Sequence, residues 1–248
     1  MWTVGSTVKW VRGVRAVGCA VLGALLLDLC TGTASAPTRA PGAGYHHLGA
    51  TTAGTWSGVL GRMAVTSSGV RDGTYDFVAS RFMVKAGTPG GVKWLEAGWA
   101  QTGWSGRGRQ RVYTFDTNSN RWTFYDQYPI RDGDRVWIEL AAVTGGPAAT
   151  WVAWLWWHDS WRRLTAQRLP LGEHALVEQY VEVYVDPRRG GTVRVPPIEV
   201  DNVQVRPEPG TAMRYWTRDA VPTSQGSGDS RYCLAWRNGY DTWRAGSC

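Results

Sequence analysis

Between Leu176 and Val185 the chain alternates in a way that limits what it can fold into. Val177, Val181, Val183 and Val185 fall on one side, and Glu178, Tyr180, Glu182 and Tyr184 on the other. A period of two belongs to an extended strand with one face in a core. Comparable short runs recur at 75–84, 92–100, 110–116, 121–128, 135–143, 150–157 and 198–205. The turn segments Asp116-Thr-Asn-Ser-Asn120, Arg131-Asp-Gly-Asp134 and Asp186-Pro-Arg-Arg-Gly-Gly191 separate or follow them, rich in residues that accept tight-turn backbone. No stretch of twelve or more residues keeps a helical period. The expected fold is all-β, a two-sheet antiparallel jelly-roll sandwich of the concanavalin A-like kind.

The N-terminus reads differently. Lys9, Arg12 and Arg15 precede the apolar run from Val17 to Leu27, and Ala34-Ser35-Ala36 offers small residues for cleavage. That order predicts a signal peptide over residues 1–36 and a secreted, extracellular product. The apolar run is too short to cross about 30 Å of hydrocarbon, so no membrane span is expected. Residues 37–44 read as a flexible leader, residues 45–207 as the jelly-roll domain, and residues 208–248 as a C-terminal hairpin appendage. Export removes Cys19 and Cys30 and leaves Cys233 and Cys248, an even pair that predicts one disulfide closing a C-terminal loop. Asn238-Gly239 between them predicts a type I′ turn.

Without residues 1–36 the formal charge falls from +7 to +5, because three basic residues and one acidic residue leave. The remaining Lys and Arg are scattered, which argues against a nucleic-acid partner. No Gly-x-Ser-x-Gly elbow occurs, and His46, His47, His158 and His174 show no metal-binding spacing, so neither a serine triad, a metal nor a cofactor is expected. The loop from Trp104 to Arg111 holds three arginines among glycines and reads as a solvated hairpin tip, with a site for an anion or a glycan acid group as the alternative. Oligomeric state is not encoded in any pattern of the sequence.

Sixteen tryptophans demand a use beyond ordinary composition. On the run 150–157, alternation puts Trp154 and Trp156 on one face and Trp151 and Trp157 on the other. One face belongs in the core, and the other lines either a cleft or a covering loop. In Lys93-Trp94-Leu95-Glu96-Ala97-Gly98-Trp99, Glu96 shares a face with Trp94 and Gly98. Opposite the valine face of residues 176–185, the carboxylates alternate with tyrosines, as on the concave surface of a substrate groove. The expected catalytic pair is Glu96 and Glu178. Trp94, Tyr180, Glu182, Trp99, Trp154 and Trp156 are the candidate substrate-binding residues. Two carboxyls brought together push each other's pKa apart and supply an acid and a base from one residue type.

The segment order also resembles that of the secreted glutamic peptidases of the eqolisin type. Leu95-Glu96-Ala97-Gly98 matches the family's Leu-Gln-Thr-Gly, and Phe124-Tyr-Asp-Gln-Tyr-Pro129 its Trp-Tyr-Glu-Trp-Tyr-Pro. Asp132-Gly-Asp134, then Val177-Glu-Gln-Tyr-Val-Glu182, then Val200-Asp-Asn202 follow in the family's sequence. The resemblance implies a jelly roll, a polypeptide substrate and a catalytic glutamate at Glu178. The family's catalytic glutamine falls on Glu96, a departure: glutamine donates a hydrogen bond at any pH, and glutamate only when protonated. The strand at 177–181 also resembles the nucleophile strand of small jelly-roll xylanases, without their second carboxylate strand. Three classes therefore stay open: a glutamic-peptidase-like hydrolase, a sandwich that binds or cleaves polysaccharide, and a secreted binding protein without catalysis.

Overall fold

The computed structural model describes residues 43–143 and 149–248. The expected export signal at 1–36, and residues 37–42 of the leader, lie outside the described residues.

The strands follow in chain order as β1 (Gly44–Trp56), β2 (Gly58–Ala64), β3 (Phe77–Thr88), β4 (Gly91–Thr102), β5 (Gln110–Asp116), β6 (Arg121–Pro129), β7 (Arg135–Val143) and β8 (Thr150–Trp157). Then come β9 (Ser160–Arg168), β10 (Ala175–Val185), β11 (Ile198–Arg206), β12 (Arg214–Tyr215), β13 (Thr223–Gln225), β14 (Tyr232–Asn238) and β15 (Thr242–Ser247). They form two antiparallel sheets, one ordered β13-β1-β10-β3-β4-β5-β6 and the other β14-β15-β11-β2-β7-β8-β9, with β12 on β11. The chain is a two-sheet jelly-roll sandwich. All eight runs expected from alternation are strands. Five further strands, β1, β2, β9, β12 and β13, carry no clear alternation: β1 is Gly-Tyr-His-His-Leu-Gly-Ala-Thr-Thr-Ala-Gly-Thr-Trp, where glycine and threonine blur it.

The core fills the space between the sheets. Val177, Val181, Val183 and Val185 of β10 join Val78, Phe82, Leu95, Ala97 and Trp99 from one sheet. Met63, Ile138, Leu140, Trp151, Leu155, Val200 and Val203 meet them from the other. Each fully buried Leu, Ile or Val contributes about 1.5–3 kcal/mol relative to exposure. This burial turns the opposite side chains of β10, β3 and β4 outward, onto the free face of the seven-stranded sheet.

The C-terminal segment joins both sheets rather than standing apart: β13 pairs with β1 in the first, and β14 and β15 extend the second. β15 pairs with β11 through Val200 and Trp243, and Trp216, Val221, Tyr232 and Trp243 are core residues. Cys233 and Cys248 are disulfide-bonded across a sequence separation of 15. The turn differs from the expected type I′ form. Asn238 pairs with Thr242, Asp241 donates its N–H to the Asn238 carbonyl, and Gly239 has φ +54° while Asn238 is not among the positive-φ residues. A type I′ turn needs positive φ at both central positions of a two-residue loop. Here the loop is longer, and the Asn238 side chain caps it by donating to Asp241 Oδ2 at 3.0 Å.

Candidate active site

Register places the acidic residues. Met83 on β3 lies opposite Glu178 of β10 on one side and opposite Glu96 of β4 on the other. The two carboxylate-bearing residues are thus two strand spacings apart, about 10 Å between backbones. The next outward row is Tyr180, Arg81 and Gly98, and the one beyond it Glu182, Ala79 and Ala100. Arg81 stands in the middle row, diagonal to all three glutamates, at a separation that long side chains bridge. Its neighbours in these rows are small on the β4 side. A Cβ at Gly98 would lie 2.0 Å from the Ser80 carbonyl oxygen and 2.8 Å from the Arg81 Cα, so only glycine lets β4 approach there.

The guanidinium uses this position fully. Arg81 Nε lies 2.9 Å from Glu182 Oε2 and 3.4 Å from Glu96 Oε2, and Nη1 lies 3.4 Å from Glu178 Oε2. Each glutamate has a further partner. Glu178 pairs with Lys85 and receives the Thr51 hydroxyl at 3.4 Å. Glu182 faces His47 Nε2 at 3.3 Å. Glu96 receives the Tyr113 hydroxyl, at 3.3 Å, as its one further side-chain partner among the described residues. Thr51 also meets the Tyr180 hydroxyl at 3.1 Å, and Arg81 lies over the Tyr180 ring at 5.6 Å.

These surroundings set the protonation. Burial disfavours the charged form of Glu96, and with Glu182 and Glu178 nearby this outweighs Arg81 and Tyr113, so its pKa rises to about 7. Burial acts the same way on Glu182, but Arg81 and His47 overcome it and hold the pKa at about 2. Tyr113, buried beside Glu96, is pushed well above its ordinary value. Among the described residues no group of His, Cys, Asp and Glu is arranged to hold a metal ion, and the centre of the acidic cluster is occupied by the Arg81 guanidinium.

Above the cluster lies an open cleft of 350 Å³. Tyr45 and His47 from β1, Phe77 and Lys85 from β3, Val92 and Trp94 from β4, Phe115 from β5 and Trp122 from β6 line it with Arg81, Glu96 and Glu182. Its aromatic rings contact one another: Trp94 stacks on Phe115 at 5.6 Å, and Phe77 meets Trp122 at 5.4 Å. Tyr45 and Val92 remain 60% and 53% exposed, so the cleft is walled by apolar surface open to solvent, the character of a ligand groove.

Of the residues singled out from the sequence, Glu96, Glu178, Glu182, Trp94 and Tyr180 share this face of the sheet; Glu96, Glu182 and Trp94 line the cleft, and Glu178 and Tyr180 stand beside it. Trp99, Trp154 and Trp156 do not, which corrects their assignment to substrate binding. Trp99 is fully buried in the core and donates its indole N–H to the Ala64 carbonyl at 3.0 Å. It lies five residues after Trp94, an odd step that puts it on the opposite face of β4. Trp154 and Trp156 belong to β8, between β7 and β9 of the other sheet, so they face outward on the far side of the sandwich. Alternation tells which residues share a face, not which sheet a strand joins. Arg81, Lys85, His47 and Thr51 were not anticipated. The available signal was a pair of cations, Arg81 and Lys85, on the outward period of a strand whose other face is Val78, Phe82 and Val84.

The fold and site define a jelly roll with an acidic, aromatic cleft on one sheet. No family model matches the chain, and no curated protein matches it by sequence. Among solved structures it is similar to scytalido-glutamic peptidase bound to a peptide-based transition-state analog, at 11% identity and TM-score 0.54, with 84% of this chain and 99% of that one covered. It is likewise similar to SCP-B, an eqolisin-family peptidase in complex with the tripeptide Ala-Ile-His, at 10% identity and TM-score 0.50 with the same coverage. The resemblance to eqolisin-type peptidases read from motif order is therefore present in the fold.

Proposed function

We propose that this chain is a secreted, glutamic-peptidase-like hydrolase that acts on polypeptide in the cleft, with Glu178 as general base and protonated Glu96 as oxyanion donor. The observation that carries this reading is the convergence of Glu178 and Glu96 on one guanidinium beside an aromatic cleft, with Glu96 holding its proton up to about pH 7. Glu96 then does as an acid what glutamine does in the eqolisin family. The similar structures, one bound to a peptide-based transition-state analog and one to a tripeptide, support a peptide ligand. Secretion is inferred from the charged and apolar pattern of residues 1–36, and the Cys233–Cys248 bond suits an oxidising compartment.

In this mechanism Glu178 removes a proton from water as its oxygen bonds to the peptide carbonyl carbon. The Glu96 hydroxyl donates to the carbonyl oxygen as that oxygen gains negative charge. When the carbon–nitrogen bond breaks, the proton on Glu178 passes to the departing amine.

A second reading is favoured by Arg81 itself. A cation shared by all three carboxylates ties up lone pairs that a general base would need, which favours a binding cleft without catalysis. Purified protein and its Glu178→Gln variant, incubated with denatured protein and with xylan or β-glucan between pH 3 and 7, separate the readings. Peptide release lost in the variant supports the peptidase, and sugar release lost in the variant supports a glycosidase. No product from either substrate at any pH leaves the binding reading.

A further inference from the structure

We infer that Arg81 is the positioning residue of this site: its buried guanidinium binds Glu182 most closely and reaches Glu178 and Glu96 at longer range, so that the cluster's exchangeable proton sits on Glu96, the glutamate with no second cationic partner. The functional meaning rests on the hydrolase reading above; the placement of the proton rests on geometry alone.

The geometry is a competition for one cation. Arg81 is 5% exposed, so water contributes little to its solvation and the three glutamates supply its counter-charge. They are not equal. Glu182 is nearest, at 2.9 Å, and has His47 as a second partner. Glu178 shares Arg81 at 3.4 Å but has Lys85 as a cation of its own. Glu96 also lies at 3.4 Å, and its other partner is the neutral hydroxyl of Tyr113. Three carboxylates thus share two lasting cations, and the one with no second cationic or imidazole partner is the one that keeps a proton. The charged and titratable groups facing Glu96 are Arg81 from β3, Tyr113 from β5, and Glu178 and Glu182 from β10; Tyr45 and His47 on β1 and Lys85 on β3 line the same cleft. The elevated pKa of Glu96 and the depressed one of Glu182 agree with this order.

Two substitutions move the Glu96 proton in opposite directions. Arg81→Gln removes the cation that favours ionised Glu96, so its midpoint should rise by about 1–3 pH units. Glu182→Gln frees the guanidinium and removes a neighbouring negative charge, so the midpoint should fall by about one unit. A role confined to holding the strands together would move neither midpoint while the protein stays folded. The experiment is a carbon-13 NMR titration of the glutamate carboxyls in wild type, Glu96→Gln, Arg81→Gln and Glu182→Gln, with the pH–rate profile on denatured protein recorded alongside. The expected result is a near-neutral titration that vanishes in Glu96→Gln and shifts as stated in the other two. If Arg81→Gln does not fold, the direction of the Glu182→Gln shift decides. A near-neutral titration that belongs to Glu178 or Glu182, or a Glu96 midpoint unmoved in the folded variants, overturns the inference. Shifted midpoints without any hydrolysis would retain the proton assignment and remove the hydrolase reading; hydrolysis with unmoved midpoints would do the reverse.

Discussion

Glu96 and Glu178 meet through a third residue: one carboxylate oxygen of each lies 3.4 Å from the Arg81 guanidinium, at Nε for Glu96 and at Nη1 for Glu178. The two carboxyls share one cation but differ in their other partners, Lys85 for Glu178 and the Tyr113 hydroxyl for Glu96, and their substitutions should have unequal effects. Glu178→Gln removes the proposed base and should lower kcat at least about 100-fold, within the usual range for a lost general base. Glu96→Gln keeps a hydrogen-bond donor and should hold activity within about tenfold. It should also abolish the loss of activity near pH 7, because an amide donates at any pH. Equal losses in both variants, measured as kcat on one denatured substrate, would refute this division of labour.

The same residues should shape stability against pH. Glu96 binds its proton more tightly in the folded chain, with a pKa of about 7 against an ordinary 4.5, so its contribution is fully present below pH 4.5 and is lost as pH rises to about 7. The magnitude is on the order of 3 kcal/mol. Glu182, held at about 2, acts oppositely: its contribution is present above 4.5 and is lost as pH falls towards 2. The cluster on its own therefore favours folding most near pH 4.5. Urea midpoints should fall between pH 4.5 and 7 in wild type, and this fall should be reduced in Glu96→Gln. A wild-type midpoint that rises over that interval and is unaffected by the substitution would show that Glu96 ionises normally.

What the sequence made legible follows from periodicity. Val177, Val181, Val183 and Val185 declared the buried face of β10, and turning them inward sets Glu178, Tyr180 and Glu182 outward together. Lys93–Trp99 did the same for Glu96. The partner that joins these glutamates was not legible, because Arg81 lies about 100 residues before Glu182 and reaches it only through the pairing of β3 with β10. Register between distant strands is set by the whole core and has no local sequence mark. Trp154 and Trp156 failed for a related reason: their strand pairs with β7 and β9, which alternation within 150–157 does not reveal.

Gly98 tests whether close approach of β4 to β3 is needed for the cluster. An alanine methyl there would meet backbone atoms, the Ser80 carbonyl oxygen at 2.0 Å, which cannot swing aside as a side chain can. Gly98→Ala should cost about 1–3 kcal/mol, as overpacking usually does. It should also disturb the Glu96 titration, since the displaced strand carries Glu96. A variant as stable as wild type in urea, with the Glu96 titration unchanged, would show that the strands accommodate the methyl.

The Cys233–Cys248 bond closes a loop with a sequence separation of 15 and ties β14 to the last residue of the chain. In the chain-entropy model a loop of this length contributes about 3 kcal/mol. Cys233→Ser with Cys248→Ser should lower the unfolding free energy by about that amount while leaving the cleft intact, because the bond lies on the other sheet from Glu96 and Glu178. A double variant whose urea midpoint matches wild type would place the C-terminal stability in packing alone.

Trp94 and Trp99 share one strand and should separate substrate binding from folding. Trp94 is half-buried in the cleft wall, stacked on Phe115, with one face towards the space a substrate would fill. Trp99 is fully enclosed between the sheets, and its indole N–H is satisfied by Ala64. Removing Trp99 leaves a cavity and an orphaned carbonyl, so Trp99→Ala should cost at least about 3–5 kcal/mol. Trp94→Ala removes a surface that apolar substrate side chains would lie against. It should raise KM several-fold on a peptide with large apolar residues, and cost far less in urea stability than Trp99→Ala. The comparison needs both variants measured together, by equilibrium unfolding and by kinetics on one peptide. If Trp94→Ala destabilises as much as Trp99→Ala while KM is unchanged, Trp94 is a second core residue, and the aromatic wall has no part in holding substrate.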